Sequence, residues 1–270
     1  MSASRRLFVG TAGWCVPRAS ANRFADTGTH LQRYARTMPA TEINSSFHRP
    51  HAYTTYRKWA AATPAAFRFS VKFPRTITHE GELKRARVPL DRFLHESSGL
   101  GRRRGPLLIQ LPPSLAFDRR AVTTFLNLVR ARYEGPLVCE PRHPSWFTSD
   151  VEKVLVDHRV ARVAADPSPL QEGSVPGGWD GIIYYRLHGS PRKYWSKYSP
   201  EYIETLRGAL SRAPLRVAVW CIFDNTASGA ALENAWELVR GQTVSAGAPT
   251  RASVPRIHSR PPAGIAVRFP

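Results

Sequence analysis

Short apolar runs alternate along the chain with longer segments whose apolar residues recur every three or four positions. The short runs end at Pro, Gly or Asp-Asn, which is typical of β-strands, and the longer segments have the spacing of amphipathic helices. The predicted strands are residues 7–9, 40–48, 67–73, 106–111, 137–142, 160–165, 181–187 and 216–223. The predicted helices are residues 29–37, 52–62, 88–95, 118–132, 148–157, 200–213 and 229–239.

Strands that alternate with helical segments, without an internal repeat, predict an α/β protein built as a single parallel (β/α)8 TIM barrel. A Rossmann-type sheet is the alternative, but no GxGxxG follows a predicted strand. The barrel is assigned to residues 1–240. Residues 241–270 contain no acidic residue, four arginines and several prolines, and they predict a basic, mostly irregular tail.

The composition adds a strong positive charge to this picture. The 270 residues carry 39 Lys and Arg against 20 Asp and Glu, a net charge of +19, which indicates anionic partners. The basic residues are scattered, so a basic surface or an anion-binding cleft is favoured over specific nucleic-acid binding. Cys15, Cys139 and Cys221 lack CxxC spacing and are interpreted as core residues of a reducing compartment.

The predicted location is the cytoplasm, without membrane association. No apolar run reaches the 18 residues that a membrane span needs, and the N-terminus lacks the apolar segment of a signal peptide.

Polar side chains follow nearly every predicted strand, at its carboxyl end. They are Glu42, Asn44, Lys72, Gln110, Glu140, Arg142, Asp166, Arg186, His188, Asp224 and Asn225. In a TIM barrel these ends converge on one mouth, where active sites are built. The sequence therefore predicts a polar site there, to which Trp14, His143 and Tyr194 are added as substrate contacts.

The stretch 137–146 concentrates this chemistry. Glu140 and Arg142 share one strand face because side chains alternate along a strand, and His143 follows directly. Buried charges must be paired with each other or with a ligand. A structural ion pair and a ligand site both remain open.

The first functional hypothesis is an enzyme, a hydrolase or lyase that acts on a small phosphate-bearing substrate. Arg142, Arg186 and Lys72 would bind the anion, since arginine suits bidentate oxyanion binding. The catalytic set is Glu140, Glu42, His188 and Asp166, in which a carboxylate acts as general base and His188 or His143 as its acid–base partner. Asn44, Gln110, Trp14, Asn225 and Tyr194 would complete the substrate contacts.

Three alternatives remain open. A divalent metal, Mg, Mn or Zn, could bind to Glu42, Glu140, Asp166, His188 and Asp224, although the nearby cations compete with it. A non-catalytic nucleic-acid-binding protein could use its basic surface, the basic and aromatic loop 192–198 and the tail. In a purely structural mouth, the amides of Asn44, Gln110 and Asn225 would only satisfy buried backbone groups.

Seven motifs in order also resemble a known family. They are Gly10-Thr-Ala-Gly-Trp14, Thr41-Glu-Ile-Asn-Ser-Ser-Phe47, Phe73-Pro with Ile77-Thr-His79, Gln110-Leu-Pro-Pro113, Glu140-Pro-Arg-His-Pro-Ser-Trp146, Arg186-Leu-His-Gly189 and Phe223-Asp-Asn-Thr226. Over roughly residues 7–240 the chain resembles the domain of unknown function 72 family, the YecE-like proteins. The resemblance implies a TIM barrel and no established reaction. His48 and Asp224 depart mildly from the family pattern, where Tyr and Asn are common.

Overall fold

The computed structural model describes residues 6–244, which form ten strands and eight α-helices joined by loops and short 3-10 turns. The strands are β1 (Leu7–Thr11), β2 (Ala40–Ile43), β3 (Arg68–Lys72), β4 (Arg104–Gln110), β5 (Leu137–Glu140), β6 (Val160–Arg162), β7 (Ala164–Asp166), β8 (Gly177–Gly178), β9 (Ile182–Leu187) and β10 (Ala218–Phe223). The helices are α1 (His30–Ala35), α2 (Tyr53–Ala61), α3 (Arg75–Thr78), α4 (Arg87–Ser97), α5 (Arg119–Arg130), α6 (Ser149–Asp157), α7 (Pro200–Ser211) and α8 (Ala230–Val244).

The strands belong to two sheets. A four-stranded parallel sheet has the order β1-β10-β9-β7, and a six-stranded sheet has the order β2-β3-β4-β5-β6-β8, in which only β8 is antiparallel. The prediction of a single eight-stranded barrel is therefore wrong, although the α/β class and the alternation of strands and helices are correct.

Two local features separate the sheets. Between β1 and β2 the ladder is reduced to one bridge, Ala12 to Glu42, because the hydroxyl of Tyr34 is inserted between the strands. That hydroxyl accepts a hydrogen bond from the Thr11 amide at 2.8 Å and donates to the Ala40 carbonyl at 3.0 Å. At the other junction, the predicted strand 160–165 is divided at Val163: β6 pairs with β5 and β8, whereas β7 pairs with β9.

Alternate residues of the strands pack into two apolar layers. One set, with Val71, Ile109 and Leu187, packs with the helices in a large cluster of buried residues. The other set, with Leu108, Tyr184 and Trp220, comes from both sheets and forms a second, smaller cluster. Polar residues that continue this second set towards the carboxyl ends of the strands are therefore brought together above it.

Three helix starts follow capping signals of the sequence. Thr29 and Gln32 form a reciprocal capping box at α1, Asp118 accepts from the Ala121 amide at α5, and Thr148 accepts from the Val151 amide at α6. The last helix continues through Val244, beyond the predicted end at residue 239. The rest of the predicted tail, 245–270, lies outside the described residues, and the predicted division at residue 240 stays a prediction.

None of the helices within residues 6–244 is long and apolar enough to cross a membrane.

Candidate functional site

A buried arginine lies at the centre of the polar residues. Arg186 of β9 is fully buried, and its Nη2 lies 2.7 Å from Oε1 of Glu42, at the end of β2. Its Nη1 donates to Oε2 of Glu140 at 2.9 Å, and Nη2 lies 3.1 Å from Oδ2 of Asp224. One guanidinium thus joins three buried carboxylates that come from both sheets.

His188 connects two of the same carboxylates. Its Nε2 lies 2.9 Å from Oε1 of Glu140 and its Nδ1 lies 2.9 Å from Oδ2 of Asp224. A neutral imidazole has one N–H donor only, so two carboxylate contacts require one additional proton in this triad. We call Glu42, Glu140, Arg186, His188 and Asp224 the Arg186 cluster.

The two carboxyl groups around His188 are held in the ionised form. Burial alone raises the pKa of Glu140, but the positive charges at His188, Arg186 and Arg142 outweigh it and hold this pKa well below its usual value. Burial also raises the pKa of Asp224, and Arg186 together with the His188 hydrogen bond lowers it below its usual value. Both ring nitrogens of His188 therefore face ionised carboxylate oxygens.

Tyr184, two residues before Arg186 on β9, also contacts the cluster and was not among the predicted site residues. Its hydroxyl donates to Oε2 of Glu42 at 3.0 Å and lies 2.9 Å from the hydroxyl of Ser70. Burial and the charge of Glu42 raise the pKa of Tyr184 well above its ordinary value, so it remains a neutral donor. Strand alternation alone places Tyr184 on the face of Arg186, so this contact was accessible from sequence.

Lys72, at the end of β3, is buried but unpaired. Only 6% of the residue is exposed, and its Nζ makes no hydrogen bond or ion pair with any residue between 6 and 244. The ammonium lies 4.0 Å from the ring centroid of Phe47, a cation–π contact. Burial, followed by the charge of Arg186, lowers the pKa of Lys72 to about 8 against the opposing effect of the carboxylates.

A histidine beside Lys72 and two further cations near Glu140 lie in the same region. Arg142 donates to Oε1 of Glu140 at 2.9 Å and to the Tyr194 hydroxyl at 3.2 Å. Burial, followed by the charge of Arg142, lowers the pKa of Lys193. His79 packs against the same Phe47 ring at 4.8 Å between centroids, and burial together with Lys72 and Arg142 lowers its pKa to about 4. His79 is therefore neutral at pH 7. We call Lys72, Arg142 and Lys193 the cation group.

Phe47, His79 and Lys193 were not among the predicted site residues. Phe47 falls in the predicted strand 40–48, but that strand ends at Ile43 and Phe47 lies in a short 3-10 turn. His79 and Lys193 lie in turns, where no periodicity indicates which way a side chain points.

Several predicted residues have other partners. Asp166 is in register with Leu187 rather than with Arg186, so it lies on the opposite face of the sheet; there, burial and the Asp166 charge raise the pKa of Tyr202 on α7. His143 contacts the hydroxyl and amide of Ser145 as the cap of a short turn. The structure does not bring either residue into the Arg186 cluster.

The predicted amides have mainly structural contacts. Gln110 is in register with Glu140 and donates to the Leu111 carbonyl at 2.6 Å. Asn225 donates to the Ser196 carbonyl at 2.8 Å and to the side chain of Asn234 at 3.1 Å.

Trp14 and Asn44 line a separate cleft of about 360 Å³ at the ends of β1 and β2. Its remaining walls are Gly13, Cys15, His30 and Ser45. The Oδ1 atom of Asn44 is buried without a hydrogen-bond partner among the described residues.

The predicted metal ligands are not arranged around a common point. Within residues 6–244 no group of three or more His, Cys, Asp and Glu side chains could hold a metal ion. The carboxylates of the Arg186 cluster direct their oxygens to Arg186 and His188 instead, so this donor set does not fit a metal.

Comparison with known proteins places the chain in a family. The family described as "Protein of unknown function DUF72" matches residues 8–257. The chain belongs to the DUF72 family. The predicted resemblance is thereby confirmed, and the family carries no established reaction.

Two relatives agree with this family assignment. The UPF0759 protein YecE of Escherichia coli K12 is 28% identical over 171 residues, and the match covers 61% of this chain but only 60% of YecE. The UPF0759 protein YunF of Bacillus subtilis is 22% identical over 273 residues, covering 86% of this chain and 93% of YunF.

Crystal structures of DUF72 family proteins share the fold. The protein from Thermotoga maritima is 23% identical with a TM-score of 0.73, and the match covers 88% of this chain and 99% of that one. A protein from Enterococcus faecalis is 18% identical with a TM-score of 0.74, covering 92% and 100% of the two chains. At these identities the likeness shows the fold alone, so chemistry must be argued from the site.

Proposed function

We propose that the chain is an enzyme of the hydrolase or lyase type whose active site is formed by the Arg186 cluster and the cation group, and that its substrate is small and phosphate-bearing. The observation that carries this proposal is Lys72, a buried cation without a hydrogen bond or ion pair among the described residues. Burying an unpaired charge is costly, and proteins retain such a group where a ligand supplies the opposite charge.

The charges around Lys72 support an anionic ligand. The cluster's three carboxylates are matched by Arg186, by Arg142 and by the additional proton of the triad around His188. Lys72 and Lys193 are the positive charges left over, and burial lowers the pKa of each. A phosphate beside them would restore neutrality.

The contacts suggest different roles for the predicted catalytic residues. Oε1 of Glu140 already accepts from Arg142 and His188, so a positioning role suits this carboxylate better than that of a general base. Both ring nitrogens of His188 face carboxylate oxygens, so a positioning role suits His188 as well. Asp166, on the other face of the sheet, has no role in this proposal.

Isothermal titration calorimetry with inorganic phosphate tests the proposal. We expect phosphate to bind at low ionic strength, and Lys72→Met to weaken that binding at least tenfold. Lys153→Met is the matched control, because Lys153 is exposed on α6. Absence of phosphate binding, or equal binding by the Lys72→Met protein, would refute the assignment. Release of products from a panel of phosphate esters would then identify the reaction.

Nucleic-acid binding is the second candidate, because a basic and aromatic surface lies beside the site. Arg192 stacks on Trp195 at 4.6 Å, and Trp195 and Tyr194 are 46% and 39% exposed. Exposed rings flanked by cations can bind single-stranded nucleic acid.

Fluorescence anisotropy with a labelled single-stranded oligonucleotide discriminates this candidate. Backbone binding must weaken steeply as salt rises, and Trp195→Ala should weaken it while Tyr53→Ala, at another exposed ring, should not. No binding at low salt would remove this candidate.

A further inference from the structure

We propose that Lys72 is a nucleophile that forms an imine with a carbonyl group of the substrate, so that the substrate is an anionic aldehyde or ketone and the enzyme is a lyase. This inference rests on the proposed function and narrows it, because a hydrolase would not need a carbonyl next to the bound anion.

Lys72 differs from every other lysine of the chain. The sequence contains six lysines, all within the described residues. Lys58, Lys84 and Lys153 are exposed, Lys193 is half-buried, and Lys197 forms ion pairs with Glu233 and Glu237. Lys72 alone is buried, and its Nζ is held by an aromatic ring instead of a carboxylate. Neither a hydrogen bond nor an ion pair has to be broken before this nitrogen attacks.

The environment also supplies the reactive form of the amine. Only the neutral amine is nucleophilic, and desolvation is a recognised way to activate a lysine. With a pKa of about 8, about a tenth of the Lys72 side chains are neutral at pH 7, against roughly three in ten thousand for a lysine of pKa 10.5.

The amine that attacks is the neutral form of Lys72, whose ammonium has released one proton to solvent. Its Nζ lone pair forms a C–N bond to the carbonyl carbon as the C=O π bond breaks, and one proton moves from this nitrogen to the oxygen to give a carbinolamine. The C–O bond of this intermediate then breaks, and the departing hydroxyl takes up a proton from solvent and leaves as water. Ammonium and carbonyl give a protonated imine and water, with no net change in protons.

The product of this step gives the cations of this region a function. A protonated imine withdraws electrons from the neighbouring carbon–carbon or carbon–hydrogen bond, which is the function of a Schiff-base lysine. Arg142 and Lys193 would hold the anionic end of the substrate, while the imine polarises the other end.

Borohydride trapping tests the inference with the full-length protein. We would incubate it with glycolaldehyde phosphate or with glyoxylate, reduce with sodium borohydride and map the adduct by mass spectrometry. We expect one adduct, on Lys72, that inorganic phosphate suppresses and whose formation rate rises as pH increases towards 8. Lys72→Arg should abolish it, and Lys153→Arg should leave it unchanged. Equal labelling of Lys72 and Lys153, or an undiminished adduct in the Lys72→Arg protein, would overturn the inference.

Failure of this inference is distinguishable from failure of the proposed function. Lys72→Arg keeps the positive charge, so it should still bind phosphate in the calorimeter if its thermal unfolding matches that of the wild type. Phosphate binding without trapping at Lys72 would refute the imine and leave the anion site intact. Trapping at Lys72 without phosphate binding or competition would support the nucleophile and refute the phosphate-bearing substrate.

Discussion

Replacing Arg186 by Met should be among the most destabilising substitutions in the protein. The methionine would keep much of the volume but leave Glu42, Glu140 and Asp224 buried, with exposures of 0%, 1% and 5%. Removing one partner of a buried ion pair costs about 3–5 kcal/mol. For a chain of this size that loss corresponds to a fall in melting temperature of roughly 6–20 °C.

The loss should depend on pH in a defined direction. In the wild type the folded-state pKa values of Glu140 and Asp224 are lowered, so these groups stabilise the fold above the ordinary carboxyl range and lose that effect as pH falls through their folded pKa values. In the Arg186→Met variant the folded-state pKa values of Glu140 and Asp224 should be lowered less than in the wild type. The difference in stability between wild type and variant should therefore be greatest near pH 7 and should narrow as pH falls towards about 4.

Urea denaturation followed by circular dichroism, at several pH values, measures this difference. Arg92→Met is the control, because Arg92 pairs with Glu96 at the surface and is 64% exposed. It should change the free energy of unfolding by no more than about 0.5 kcal/mol. A loss below about 1 kcal/mol for Arg186→Met at pH 7, or a difference that widens on acidification, would refute the reasoning.

Three further outcomes are expected. Tyr34→Phe should cost about 1–3 kcal/mol in urea denaturation, since it leaves the Thr11 amide and the Ala40 carbonyl without their shared partner; an unchanged midpoint would show that water replaces the hydroxyl. Asp118→Ala should cost about 1 kcal/mol by removing the cap of α5, whereas Asp118→Asn should retain most of the stability. The side-chain NMR signal of Lys72 should titrate with a midpoint of about 8, and a midpoint near that of free lysine would contradict its desolvation.

The cluster could be predicted from sequence because two simple rules coincide there. Side chains alternate along a strand, and the carboxyl ends of neighbouring parallel strands lie together. These rules place Glu42, Glu140, Arg186 and His188 in one region without any knowledge of the loops.

The same alternation, applied to the predicted strand 160–165, would have excluded Asp166 from the site. Ala161 and Val163 pack in the second, smaller apolar cluster, and Ala165 is in register with Arg186. Asp166 therefore falls on the opposite face of the sheet. Asp166 was predicted from its position at a strand end, although the alternation of side chains places it on the other face.

Other features depend on contacts between distant segments and had no sequence signal. The division into two sheets arises in part from the Tyr34 hydroxyl between β1 and β2, and a tyrosine in a helix does not indicate that its side chain reaches a strand. The environment of Lys72 depends on Phe47 and His79, which lie outside the strands.

The distribution of thiols gives the protein a natural attachment point. Cys139 and Cys221 are fully buried, and burial raises the pKa of both, so neither offers an accessible thiolate. Cys15 is exposed and lines the cleft at the ends of β1 and β2. A maleimide dye should therefore label the native chain at one position without any engineering. Its emission would report on that cleft, so that a library of compounds could be screened by fluorescence before any turnover is known.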